Sequence, residues 1–310
     1  MNKESDTVNK PKVISFINMK GGVGKTTLCI NTADYLSNKG NKVIILDLDP
    51  QFNATQAMLL QKTRLSKYDE EKNNIDDESQ EENDIIRAEA DSAKYYEKLS
   101  DDEKTVMQIF APTNANKDTK KDIIISYSEN LDFVPGDLEL SAVIAGDTAG
   151  KVGAIQDYID NYLESNYDFV LIDCPPTWSI LTHSSLYASN YYVIPSKIDF
   201  YSSIGINSLQ NKIKEKLLDD SLYKATGKKL KNLGIIFSMT TGLKAEAAIR
   251  DIVERDFSNK IEIFAGEIPL IKSASSAFIL YSEVEDNGLY SNLTNGFEKF
   301  ATQFMERISQ

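Results

Sequence analysis

The feature that most restricts the fold is a short apolar run, residues 13–18 (VISFIN), followed at once by Lys20-Gly21-Gly22-Val23-Gly24-Lys25-Thr26-Thr27 and then by apolar positions at Leu28, Cys29, Ile30, Ala33 and Leu36. A β-branched run, a glycine loop and an amphipathic stretch in that order form a strand, loop, helix unit. In such a unit backbone N–H groups close around phosphate oxygens, and the helix N-terminus adds partial positive charge at the same point. Lys25 is expected to reach the β- and γ-phosphates of a nucleotide, and the Thr26 hydroxyl to ligate Mg²⁺. A glycine turn that merely reverses the chain would need neither the preceding strand nor the following helix.

Two further strands end in acids. Residues 168–175 (DFVLIDCP) carry Asp173 to the carboxyl edge of a buried strand, beside the loop, where it can hold Mg²⁺ through water. Residues 42–49 (KVIILDLD) end in Asp47 and Asp49, which are two apart and so point the same way. One of them can approach the metal while the other orients the attacking water. Strand-ending aspartates also start turns, so their weight comes from conjunction with the loop. The sequence shows no catalytic base in surroundings that would shift its pKa, which leaves positioning and electrostatics to carry phosphoryl transfer.

Four more apolar runs, 131–135, 191–196, 233–239 and 261–269, read as buried strands. Helical stretches fit between the strands at 26–39, 140–166, 184–188, 204–218 and 245–257. The alternation predicts an α/β fold, a doubly wound and mostly parallel sheet with helices on both faces, in a single domain over 1–310.

The formal charge is −13, from 34 Lys and Arg against 47 Asp and Glu. Over half of it sits in residues 61–104, where 15 acids face 8 bases. Residues 69–84 hold almost nothing apolar, so 61–104 is predicted as an acidic insertion, helical or disordered, with helical character returning from Arg87 to Phe110. A generally basic nucleic-acid coat is excluded. Cys29 and Cys174 are too few for a disulfide scaffold and lack metal-ligand spacing, the N-terminus has no apolar signal region, and no stretch is long and apolar enough to span a membrane. A cytoplasmic protein is expected.

The motifs KGGVGKTT (20–27), DLDPQ (47–51) followed by NAT (53–55), and IDCPP (172–176) together resemble the ParA/MinD family of Walker-type ATPases, whose deviant Walker A loop opens with the extra lysine matched by Lys20. The resemblance covers the chain from about residue 12 onward apart from the acidic insertion. It implies a P-loop NTPase fold and an ATP-dependent homodimer in which Lys20 crosses to the partner's nucleotide. Asp49 is implied to activate water, Asp173 to serve on the Mg²⁺ side with Thr26 and Asp49, and Met239 and Pro269 to frame the adenine. Residues 199–209 (DFYSSIGINSL) and 131–141 (LDFVPGDLELS) resemble the partition branch. About a dozen residues precede the first strand, so the helix-turn-helix domain of longer plasmid ParA proteins is not expected. The family's task is plasmid or chromosome segregation, in which a ParB-type centromere-binding partner stimulates hydrolysis on non-specifically bound, nucleoid DNA.

Between 205 and 260 the chain has 11 basic against 7 acidic residues, a positive window suited to DNA backbone contact, with Lys244 and Arg250 as candidate contacts. The alternative is a MinD-like, membrane-associated positioning ATPase. It would use the apolar stripe Phe297, Phe300, Ala301, Phe304, Met305 and Ile308 as an interfacial anchor, but the polar face of that stripe has no basic excess. Stable membrane association is therefore not expected.

Overall fold

Strands built almost wholly from apolar residues need cover on both faces, and the computed structural model, which describes residues 10–70, 78–111, 120–145, 150–271 and 278–310, provides it. In chain order the elements are β1 (Lys12–Phe16), α1 (Lys25–Asn38), β2 (Val43–Asp47), α2 (Asn53–Glu70), α3 (Glu78–Asp101), α4 (Met107–Phe110), β3 (Ile125–Ser128), β4 (Leu131–Val134), α5 (Leu140–Ala145), α6 (Ala154–Tyr158), β5 (Phe169–Asp173), α7 (Ile180–Ala188), β6 (Tyr191–Ser196), α8 (Ser202–Ile213), α9 (Ser221–Ala225), β7 (Lys231–Thr240), α10 (Lys244–Phe257), β8 (Ile263–Pro269), α11 (Tyr281–Val284) and α12 (Ser291–Ser309). The sheet order is β3-β4-β2-β5-β1-β6-β7-β8, parallel throughout except for β3 against β4.

Alternation along the strands divides the core into two layers. Ile44, Leu46, Val170 and Ile172 face one layer, which is closed by helices such as α6, α7 and α8. Val43, Ile45, Phe169 and Leu171 face the other, closed by α1, α2 and α12. The chain moves from one side of β1 to the other on passing from β5 to β6. The carboxyl ends of β2, β5, β1 and β6 therefore surround the switch point where such sheets bind ligands.

Two local expectations change. A single helix is expected over 140–166; its described residues form α5, a 3-10 turn at Lys151–Gly153 and α6, which continues as a π segment at Ile159–Leu163, while residues 146–149 lie outside the described residues. Gly150, with φ 78°, takes a left-handed conformation ahead of the 3-10 turn that ends in Gly153, and each glycine costs a helix interior about 1 kcal/mol against alanine. Strand β3 was not expected, because its half-exposed edge position leaves no continuous apolar run. In the acidic insertion, α2 runs through Glu70 and α3 covers 78–101, while residues 71–77 lie outside the described residues. The C-terminal stripe is buried against the sheet: Phe297, Phe300, Ala301, Phe304 and Ile308 are each at most 3% exposed. That face is not free to enter a bilayer, and among the described residues no helix is long and apolar enough to cross a membrane.

Candidate nucleotide site

The loop 17–24 leaves β1 and turns directly into α1. Gly22 (φ 63°) and Gly24 (φ 74°) hold left-handed conformations that only glycine adopts freely. Val23 is fully buried, and its carbonyl accepts a hydrogen bond from the Ser238 hydroxyl at 2.6 Å, so the end of β7 braces the loop from behind. Lys25 is buried, its ammonium folded back to 3.5 Å from the Lys20 carbonyl. Gly21, Gly22, Val23, Gly24, Lys25, Thr26 and Thr27 all line one cavity of about 360 Å³, which extends along α1 to Ile268, Phe278 and Phe297. Met239 and Pro269, expected near adenine, line the same cavity.

Register brings the acids together. Phe16 and Asp47 both pair with Asp173 across β5, so three neighbouring strands end at one level. The Thr26 hydroxyl donates to Asp173 Oδ2 at 2.6 Å, whereas Asp173 Oδ1 is buried with no hydrogen-bond partner. An orphaned carboxylate oxygen beside a threonine hydroxyl fits a hard oxygen-seeking cation. Among the described residues no three His, Cys, Asp or Glu side chains converge as a metal cage. The donor set thus suits Mg²⁺, which is commonly held by one or two protein oxygens together with substrate phosphates and water.

Asp49 is 6% exposed and lines the cavity, and its Oδ1 accepts from the Gln51 N–H at 3.0 Å. Burial raises its pKa, offset in part by that hydrogen bond and by the charge of Lys25. Burial also raises the pKa of Asp173, further increased by the neighbouring Asp47 carboxylate, and raises that of Asp47. The acids do therefore sit in pKa-shifting surroundings, contrary to the sequence expectation, because strand register rather than sequence spacing makes them neighbours.

Asp47 itself turns away from the cavity. Its Oδ2 accepts from both the Thr55 N–H (2.8 Å) and the Thr55 hydroxyl (2.7 Å), and its Oδ1 from the Asp49 N–H. Thr55 Oγ1 in turn accepts from the Gly136 N–H at 2.6 Å. A Cβ on Gly136 would stand 2.9 Å from the Asp47 carboxyl carbon, so only glycine fits there. Both Asp47 oxygens are thus engaged by the fold, and Asp47 is not among the residues that line the cavity.

Lys20, expected to face a partner's nucleotide, pairs with Asp199 in its own chain, just beyond β6. Lys197, two residues earlier, brings its ammonium to 3.9 Å from the position a Cβ on Gly22 would occupy, adding a cation that sequence reasoning missed. Of the two DNA candidates, Lys244 is exposed at the start of α10. Arg250 is not a free cation: it pairs with Glu267 and lies 5.2 Å from the Phe237 ring centre, so it serves the packing of α10 on β7 and β8.

The family described as "AAA domain" matches residues 11–226. The chain is 29% identical over 205 residues to the sporulation initiation inhibitor protein Soj of Bacillus subtilis, covering 66% of this chain and 65% of Soj. It is 26% identical over 212 residues to the chromosome partitioning protein ParA of Caulobacter vibrioides, covering 67% of this chain and 64% of that protein. Both matches span slightly less than two thirds of the relative. A plasmid partition protein from Borrelia burgdorferi superposes with a TM-score of 0.65 at 19% identity, covering 96% and 99% of the two chains. An ATP complex of a Cyanothece McdA variant gives 0.65 at 19% identity, covering 97% of each chain. These structural likenesses speak to the fold, while the family match speaks to descent. With its phosphate loop, extra lysine and strand-ending acids all inside the matched region, the chain belongs to the AAA-domain family as a ParA-like P-loop ATPase.

Proposed function

We propose that this chain is a ParA-type partition ATPase that binds Mg²⁺·ATP, pairs two copies on it, holds DNA without sequence preference while paired, and is reset by hydrolysis. The observation that carries this reading is the meeting of the glycine loop, Lys25, the Thr26–Asp173 pair and Asp49 at the carboxyl ends of three adjacent strands. The loop N–H groups and Lys25 hold the phosphates, Thr26 and Asp173 hold the cation with Asp49 nearby, and Asp49 orients the water. Bound Mg²⁺ supplies charge neutralisation at the transferring phosphoryl group. Met239 and Pro269 bound the adenine end.

Lys20 gives the switch. Its charge is satisfied by Asp199 within one chain, and in a pair of chains the partner's γ-phosphate would take over from that carboxylate. Only the triphosphate carries this group, so association reads the nucleotide state. Lys20→Ala should weaken ATP-dependent pairing by about tenfold or more, the loss of one charge-assisted contact, with monomer nucleotide affinity nearly unchanged. Light scattering with ATP checks this, and a mutant that pairs like wild type refutes it.

Lys244 together with Lys214 and Lys216, all exposed, is the DNA-facing set. Pairing doubles the phosphate contacts and makes retention steeply salt-dependent. The cytoplasm with its nucleoid is the compartment, and a ParB-type centromere-binding protein the partner that stimulates turnover in plasmid or chromosome segregation. Retention on DNA should require ATP, fail with ADP or no nucleotide, and fall steeply with salt. Equal retention in all three nucleotide conditions would overturn the reading. The buried face of α12 speaks against the membrane-positioning alternative, and co-sedimentation of the ATP form with anionic liposomes would restore it.

A further inference from the structure

We propose that Tyr96, carried by the acidic insertion, is a positioning residue for Asp49; the proposal rests on the hydrolytic reading above. Asp49 lies in a turn that Phe52 closes: the Phe52 N–H donates to the Asp49 carbonyl at 2.7 Å, and the Gln51 N–H between them donates to the Asp49 carboxylate at 3.0 Å. The direction of that carboxylate is therefore set by how tightly residues 49–52 are wound. Phe52 adopts a left-handed conformation, φ 41°, which a bulky residue keeps only where its surroundings hold it.

Two groups hold it. On one side the Phe52 ring stacks on Tyr96, with ring centres 4.6 Å apart and planes 20° from parallel. On the other, Gly136 leaves just enough room for it, since a Cβ at 136 would stand 3.1 Å from the Phe52 Cβ. What one stacked aromatic pair contributes is of the same order as the strain of one left-handed residue, so removing the ring releases the turn.

Tyr96 is itself anchored at both ends. Its hydroxyl accepts from the Leu138 N–H at 3.3 Å, and Leu99, nearly a turn later on α3, is buried in the layer that covers α1 and α2. The segment leaving the insertion is tied to the same place: the Thr105 hydroxyl donates to Asp137 at 2.5 Å and the Val106 N–H to the Pro135 carbonyl at 2.7 Å. Residues 135–138, which also hold Thr55 through Gly136, thus join the insertion to the Asp47 and Asp49 strand end. The insertion is a strut under the hydrolytic turn.

Tyr96→Ala should lower kcat for ATP hydrolysis by roughly 10- to 100-fold, the loss that a displacement of about 1 Å brings, with KM and ADP affinity within about twofold of wild type. Tyr96→Phe keeps the stack and should restore kcat to near the wild-type value, while Phe52→Leu should reproduce the alanine variant. In parallel, amide exchange at Gln51 and Phe52 should speed up by about tenfold or more in Tyr96→Ala and not in Tyr96→Phe. Wild-type kcat in Tyr96→Ala, or an equal fall in kcat and nucleotide affinity, overturns the proposal, as does unchanged exchange at the turn. A wild-type chain that hydrolyses no ATP would instead overturn the hydrolytic reading, and the exchange measurement would still decide what Tyr96 holds.

Discussion

Asp49→Ala should lower kcat for ATP hydrolysis by about 10²- to 10⁴-fold, the range spanned by a positioned proton acceptor, equivalent to about 3 to 5 kcal/mol of barrier. Asp49 is the acid at the strand end that both lines the cavity and has a carboxylate oxygen not used by the fold, since among the described residues only Oδ1 is engaged, by the Gln51 N–H. Its pKa is raised by burial, which brings it nearer the operating pH, where accepting a proton from water is most effective. Asn at this position keeps an oxygen for Gln51 and so preserves the turn, but it cannot take a proton; Asp49→Asn should therefore be as inactive as Asp49→Ala. Both variants should bind ATP within about threefold of wild type, because the loop and Lys25 hold the phosphates. Asp49→Asn should not melt earlier. Asp49 adds like charge to the buried Asp47 and Asp173 carboxylates, so its removal relieves repulsion. Phosphate release and nucleotide titration measured side by side decide the matter, and a kcat within tenfold of wild type would remove Asp49 from the chemistry. If hydrolysis resets the assembly, the same variants should remain on DNA longer after ATP is withdrawn.

Asp49 stands out in the amino-acid sequence because the phosphate site is written so locally. The loop, its helix and the strand-ending Asp173 and Asp49 are each set by a handful of adjacent residues, while the pairing of β1, β5 and β2 brings their ends to one level. The groups that orient them are not local. Thr55 reaches Asp47 across 8 positions, Gly136 reaches Thr55 across 81, and Ser238 braces Val23 across 215. A threonine, a glycine and a serine carry no signal of such a role until the chain is folded. The insertion's ties to the rest of the fold were hidden for a related reason. Its composition is that of a solvated excursion, and the few residues that tie it down, Tyr96, Leu99 and Thr105, are too sparse to make a periodic pattern. The π segments at Ile159–Leu163 and Lys214–Leu218 were hidden because apolar spacing does not distinguish one extra residue in a turn.

Gly296→Ala should be the most destabilising single methyl addition in the C-terminal helix. α12 crosses β8 where Gly296 meets Gly266. A Cβ on Gly296 would collide with the Glu267 carbonyl oxygen and stand 3.1 Å from its carbon. A Cβ on Gly266 would collide with the Gly296 carbonyl and lie 2.6 Å from the Phe300 N–H nitrogen. These neighbours are backbone, so no rotamer change relieves the contact, and the helix must lift off the strand. Lifting it disturbs Phe297, Phe300 and Phe304, the edge-to-face Phe264–Phe300 pair at 4.8 Å, and Arg307, which donates to the Leu233 and Ile263 carbonyls over the Phe264 ring. Overpacking of this kind costs about 1 to 3 kcal/mol or more, against a gain of about 1 kcal/mol from replacing a helical glycine by alanine. The rigid neighbours push the outcome to the high end, a net loss of about 2 kcal/mol, which lowers Tm by roughly 3 °C in a chain of this size. Asn295→Ala, exposed one residue earlier in the same turn, gains helix propensity and meets nothing, so it should leave Tm level or slightly higher. The contact also bears on the nucleotide: Leu293 and Phe297 of α12 and Ile268 and Pro269 of β8 form the far end of the cavity. A helix pushed off the strand opens that end, so Gly296→Ala should weaken ATP and ADP binding equally. An equal loss locates the damage at the base end of the site, whereas a loss confined to ATP would mean that α12 reaches the γ-phosphate.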